Sequence, residues 1–227
     1  MFSELTCLVF ETAMTAAIAR LSPGPGRPKD LEKRAAILEA AKHLFPLNGF
    51  DGVSMDAIAA EAGVSKLTVY SHFTDKETLF VEAIRSKCLE QVPDEVFLPA
   101  SGGPIRDALL KIGRSFFALV SSEVAMNLHR MILADARNGP KLGQMFWEAG
   151  PARITASFDR FLAQAAAAGQ LDIADTATAA GQFLCLLKGA VNVRMLCCGC
   201  QGPADAAADE QHIVSVVDFF LRAYLPR

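Results

Sequence analysis

The sequence predicts an all-α protein, with an N-terminal three-helix unit followed by a larger helical domain. Three observations lead there. Hydrophobic residues make up 52% of the 227 positions and charged residues only 21%, a balance that favours a packed core over a disordered chain. In every long segment apolar residues recur three and four positions apart, which places them on one face of a helix. No stretch alternates polar and apolar residues cleanly, as a half-buried strand would.

A chain of this length buries roughly 70–75% of its unfolded surface, so it needs no disulfide staples. The six cysteines, at 7, 88, 185, 197, 198 and 200, lack the spacing of a secreted scaffold, and this points to a reducing cytoplasm. No apolar run reaches the ~20 residues that a bilayer requires, so no membrane partner is expected. Leu5–Phe10 is apolar, but Glu4 and Glu11 flank it and no basic segment precedes it, unlike a signal peptide. The net charge of −3 argues against a uniformly basic coat for nucleic acid, yet charge has to be read by region. Between Arg20 and Phe45 six basic residues outnumber three acidic ones, whereas beyond Gln91 twelve basic residues meet thirteen acidic. The positive bias sits at the front, where it attracts phosphate.

Residues 1–13 read as an extension ahead of Met14, or as a misplaced start. The run Ser22-Pro-Gly-Pro-Gly-Arg-Pro-Lys29 is too rich in proline and glycine to be helical. Residues 1–29 therefore form a flexible basic arm, which either reaches a duplex through Arg27 and Lys29 or stays a solvated linker. From Leu31 a first helix carries Ile37, Leu38, Ala41, Leu44 and Phe45 at helical spacing, and Pro46 with Asn48-Gly49 ends it nearby. Ser54 caps a short helix that Gly63 closes, and Ser65 caps another running to about Phe73. A fourth helix starts near Asp75 and buries Leu79, Phe80, Ala83 and Ile84. Pro93, Pro99 and Gly102-Gly103-Pro104 then mark a boundary, so that 30–90 and 104–224 are separate domains. Within the second domain helices are expected near 104–121, 123–137, 141–168 with a kink or start at Gly150-Pro151, 174–197 and 208–224.

The segment Ser54–Phe73 carries the functional reading. Two short helices joined by Gly63-Val64-Ser65 make a helix-turn-helix, whose tight turn often requires glycine. Ile58, Ala59, Ala62, Val64, Val69 and Phe73 supply its small core. Lys66, Leu67, Thr68, Tyr70, Ser71 and His72 are left to face a groove, and a recognition helix reads bases mainly through its N-terminal residues.

With those residues in hand, the stretch from about Asp30 to Glu90 resembles the DNA-binding domain of the TetR/AcrR family. The resemblance rests on Ile37, Ala40-Ala41, Leu44-Phe45, Gly49-Phe50, Ser54, Ile58-Ala59, Ala62-Gly63-Val64-Ser65, Thr68-Val69-Tyr70-x-His72-Phe73, Lys76 and Leu79. The Ser-Lys-x-Thr-Val-Tyr-Ser-His-Phe form and Phe146–Arg153 are similar to the AefR-like branch. It implies a homodimer on double-stranded operator DNA, released by a small-molecule effector, with no cofactor and no bound metal. Ser54, Tyr70, His72 and Lys76 are then expected at phosphates, Thr68 and Lys66 at phosphates or base edges, and Leu67 at a thymine methyl, with Ser65 and Ser71 also counted among the DNA-binding residues. Two departures stand out: Pro46 falls where the family continues its first helix, and Leu67 replaces a small or polar residue.

A large apolar appendage on a DNA reader suggests a sensor. Phe183, Leu184, Leu187 and Val191 on one helix, and Ile213, Val216, Val217 and Phe220 on the last, are expected to form the dimer seam or to serve the monomer core. Phe116, Phe117, Met126, Phe146, Trp147 and Phe183 are expected around an effector pocket, with Asn127, His129 and Arg130 as its polar anchors. Helix 4 is the expected lever between pocket and reading head. Cys185, Cys197, Cys198 and Cys200, with His212, offer a redox- or metal-responsive alternative, although the spacing matches no standard zinc pair. An activator with the same fold is the other alternative. No nucleophile motif or glycine-rich phosphate loop occurs, and the histidines at 43, 72, 129 and 212 are scattered, so catalysis is not expected.

Overall fold

A computed structural model describes residues 27–98, 103–198 and 205–226. Among them every regular element is helical: α1 (Arg27–Asn48), α2 (Met55–Glu61), α3 (Lys66–His72), α4 (Lys76–Gln91), α5 (Ile105–Ser121), α6 (Glu123–Asp135), α7 (Lys141–Ala149), α8 (Pro151–Ala167), α9 (Thr176–Cys198) and α10 (Ala206–Tyr224). Short 3-10 turns follow α4 (Asp94–Phe97) and α6 (Ala136–Asn138).

The first helix begins at Arg27, four residues before the apolar periodicity starts. Pro28 is compatible with this because the first turn has no use for its missing amide. The expected non-helical arm is therefore shortened at this end, and residues 1–26 lie outside the described residues, as do the side chains of Arg27 and Lys29. Pro46 sits inside the last turn, and the helix ends two residues later. There Gly49 takes φ 77°, and its amide donates to the Phe45 carbonyl at 3.0 Å. The left-handed residue after the helix lets that carbonyl keep a partner.

Helices α1 to α4 share a core in which the rings of Phe45, Phe50 and Phe80 meet at 5.3–5.7 Å between centroids. Helix α4 is common to both parts of the molecule. Leu79, Phe80 and Ala83 are buried in the head. One turn further, the Cys88 thiol lies where a Cβ on Gly150 would come within 2.8 Å of it. Glycine is thus required where α7 gives way to α8, and the expected break at Gly150-Pro151 is a full separation of two helices.

In the larger part α5 packs against α9 and α10, and α9 also against α8. A chain of rings runs through this core, from Phe97 and Phe161 on Phe158 to Phe183, Phe220 and Tyr224, with centroids 4.7–6.3 Å apart. Helix α9 is interrupted where periodicity gave no warning: Gly189 has φ 52° and ψ −166°. His212 of α10 stands against it, and its Nε2 donates to the Leu187 carbonyl at 3.0 Å. Beyond the break, Arg130 of α6 donates from Nε to the Leu196 carbonyl at 3.1 Å and from Nη2 to the Met195 carbonyl. These bonds satisfy carbonyls that a helix end leaves open.

Candidate nucleic-acid interface and internal cavity

The turn between α2 and α3 is built as its residues dictate. The Ser54 hydroxyl accepts from the Ala57 amide at 3.1 Å, and the Ser65 hydroxyl from the Thr68 amide at 3.1 Å. Between them Gly63 takes φ 65°, a conformation that a side chain disfavours. Val69 and Phe73 are buried beneath α3, which fixes its opposite face outward. That face presents Lys66, Leu67 (80% exposed), Tyr70 and Ser71. The Thr68 hydroxyl lies 2.8 Å from that of Ser65, and the Ser71 hydroxyl donates to the Thr68 carbonyl at 2.7 Å. Leu67 is the most exposed of the large apolar side chains among the described residues.

Two residues expected at phosphates are differently placed. The His72 side chain is only 10% exposed and turns back toward α1, where Nε2 is 3.2 Å from an Asp30 carboxylate oxygen but outside hydrogen-bonding alignment. Lys76 donates to the Phe50 carbonyl at 2.8 Å, with its ammonium 4.4 Å from the Phe50 ring centroid. Lys76 thus ties α4 to the turn after α1, whereas His72 is turned away from the outward face with no hydrogen bond at Nε2. Lys66 keeps its exposure but is paired with Asp56 at 3.0 Å, and that carboxylate pushes its pKa up.

A cavity of about 220 Å3 lies between α4, α5, α6, α7, α8 and α9. Of the residues expected around it, Phe116, His129, Phe146 and Trp147 do line it. The others do not. Phe117 is buried against the His212 ring, 5.8 Å away, and Met126 is sealed in the interior. Phe183 belongs to the ring stack, and Asn127 accepts from Arg130 at 2.8 Å while Arg130 clamps the end of α9. Sequence reasoning missed Ile84, Lys87 and Cys88 of α4, Ile154 and Thr155 of α8, and Cys185 and Lys188 of α9. One signal was available, since the apolar positions of α4 continue to Cys88, past what the head alone requires.

Inside the cavity His129 donates from Nδ1 to the Ala125 carbonyl at 2.7 Å, and its ring meets Phe146 edge-on at 5.2 Å. Burial pushes its pKa down, and the nearby Lys188 charge adds to this. Burial also pushes the Cys88 thiol up to about 11, despite the opposing charges of Arg153 and Lys87.

The seam residues need correction. Phe183, Leu184, Leu187, Ile213, Val216, Val217 and Phe220 are all buried within the single chain, and Val191 partly so. Their periodicity records a buried face, but the partner is this chain's own α5 and α8. Leu184 lines the cavity instead. The apolar residues that α9 and α10 leave in water are Leu186, Val193 and Phe219.

Among the described residues no cluster of three or more His, Cys, Asp or Glu side chains is placed to hold a metal, and His212 is committed to Leu187 and Phe117. Cys185 and Cys197 are exposed on α9, while Cys200 lies outside the described residues. No described helix is long and apolar enough to cross a membrane.

Comparison with known proteins agrees with the geometry. Residues 37–83 match the family described as bacterial regulatory proteins, tetR family, and residues 107–226 match the C-terminal domain of the AefR-like transcriptional repressors. The chain is 35% identical over 82 residues to the HTH-type transcriptional regulator YdeS of Bacillus subtilis (strain 168), covering 36% of this chain and 39% of that protein. It thus spans well under half the length of that curated relative. A Mesorhizobium loti MAFF303099 protein, described as a TetR-family transcriptional regulator, is 31% identical in its crystal structure. There the match covers 87% of this chain and 98% of the other, with a TM-score of 0.74. The flavonoid-responsive regulator FrrA is 34% identical, with 86% and 98% covered and a TM-score of 0.66.

Proposed function

The chain belongs to the TetR family of DNA-binding transcriptional regulators, in its AefR-like branch, and from that premise we propose that it is a homodimeric repressor released from a palindromic operator by a small amphipathic effector. The observation that carries this reading is the pairing of an outward α3 face, bearing Lys66, Leu67, Tyr70 and Ser71, with a cavity that α4 touches from the same chain. Tyr70, Ser54 and Ser65 meet phosphates, Lys66 meets phosphate or a base edge, and Leu67 packs on a thymine methyl. Lys76 acts as a brace that sets the height of α3. Two copies pair through Leu186, Val193 and Phe219, which sets the two α3 helices about one helical turn of DNA apart.

Occupying the cavity displaces Ile84 and Cys88 on α4, and α4 carries that displacement to the head. Effector and operator then weaken each other's binding by the same factor. The FrrA likeness supports a small-molecule signal of this kind. The test is a fluorescence-anisotropy titration on DNA upstream of the protein's own gene. Sequence preference with steep salt dependence is expected, together with a loss of about tenfold or more in Tyr70→Ala. No binding at low salt would refute the reading.

A further inference from the structure

The cavity wall is apolar apart from a few groups, and the charges among those few all have one sign. Lys87 on α4 and Lys188 on α9 line it, and no aspartate or glutamate does. Neither ammonium has a carboxylate or hydrogen-bond partner. Most cations elsewhere do: Lys42 holds Glu39 and Glu90, Lys141 holds Glu77, Arg106 holds Asp218 and Arg114 holds Glu210. The carboxylate that the Lys87 charge reaches, Glu90, already accepts from Lys42 and Ser86. Both lysines line the cavity, and the Lys188 charge reaches His129 there. Half-buried cations beside apolar walls are unfavourable until an anion joins them.

We infer that the effector is an anionic amphiphile: a carboxylate neutralised by Lys87 and Lys188, with an apolar tail against Phe116, Leu128 and Phe146. The volume, about 220 Å3, equals roughly seven waters, which suits a medium-chain or single-ring acid. His129, already bonded through Nδ1 to the Ala125 carbonyl, the Trp147 indole, Thr155 and the two thiols are the remaining polar groups of the wall, and none of them is a carboxylate. This inference rests on the cavity being the effector site, and it narrows the chemistry admitted there.

The protein carries its own reporter, because its one tryptophan, Trp147, lines the cavity. The emission of Trp147 is followed while the intact protein is titrated with octanoate, 3-phenylpropanoate, 1-octanol and octylammonium. At least one carboxylate is expected to bind about tenfold or more tightly than octanol, with octylammonium weakest, as charge-assisted bonds require. Whichever carboxylate binds better identifies the tail as a chain or a ring. In Lys87→Met/Lys188→Met that preference is expected to fall to about twofold or less, with octanol affinity unchanged, so the fold and the cavity are controlled within the same experiment. Octanol binding as well as the acids, or a preference that survives in the double variant, would overturn the charge inference and leave the cavity reading standing. Binding of none of the four would overturn both.

Discussion

The ammonium of Lys66 lies 3.0 Å from the carboxylate of Asp56, bridging the first turn of α3 to the first turn of α2. Both side chains are more than half exposed, so the pair adds little to stability. Its importance is for DNA: a carboxylate stands beside the cation expected to meet the backbone. Asp56→Asn is expected to tighten operator binding several-fold at fixed salt, and Lys66→Ala to weaken it and lower the salt slope by about one unit. Anisotropy across a salt series decides between this and a neutral outcome, which would remove Lys66 from the interface.

Phe219 is 60% exposed and Val217, two residues earlier, is fully buried. Phe219→Glu is expected to leave the monomer folded while halving the mass seen by analytical ultracentrifugation, because an apolar seam does not admit an unpaired charge. Val217→Glu is expected to unfold the chain instead. A Phe219→Glu protein that stays dimeric would place the seam elsewhere.

Gly150 approaches Cys88 so closely that an added Cβ would lie 2.8 Å from the thiol sulfur and 3.3 Å from Ile84. Overpacking of this kind costs about 1–3 kcal/mol. Gly150→Ala is expected to lower the denaturation midpoint, and Cys88→Ala in the same chain to restore part of it. Equal losses in the two Gly150→Ala backgrounds would show that the contact does not govern the packing there.

The Cys88 thiol also predicts a pH dependence. Its pKa is about 11 in the fold, against 9.0 for the unperturbed group. Between those values the unfolded chain loses a proton that the folded chain keeps. Stability is therefore full below pH 9 and falls as pH rises through this window, by about 2–3 kcal/mol. Cys88→Ala is expected to flatten the curve over the same range in urea titrations. For His129 the sign is opposite: its lowered pKa makes the fold lose stability as pH drops below the usual histidine range.

The helix order and most of its breaks were legible because they are local. Gly49 and Gly63 have positive φ where a stop and a tight turn were read, and α7 parts from α8 at Gly150-Pro151. The caps at Ser54 and Ser65 were equally plain. Tertiary choices were not. Phe183, Val217 and Phe220 show by their spacing that they are buried, but the spacing is the same whether this chain or a second copy covers them. The cavity draws its wall from six helices, and Lys87 and Lys188 stand about a hundred residues apart, beyond the reach of periodicity. Arg130 looked like a pocket anchor because nothing in the sequence announced that the last turn of α9, at Met195 and Leu196, would lie beside it.

An apolar chamber also has a thermodynamic consequence. Unfilled volume forgoes packing at ~24 cal/mol per Å3, which for about 220 Å3 amounts to at most roughly 5 kcal/mol. Domains of this size are held folded by only about 5–15 kcal/mol. An occupant is therefore expected to raise the melting temperature as its concentration passes its dissociation constant. Proteases act on the unfolded fraction, so the supply of occupant sets how long each molecule lasts. On the function proposed here signal and turnover become one variable, because the effector that loosens the grip on DNA is expected also to preserve the protein for its next round.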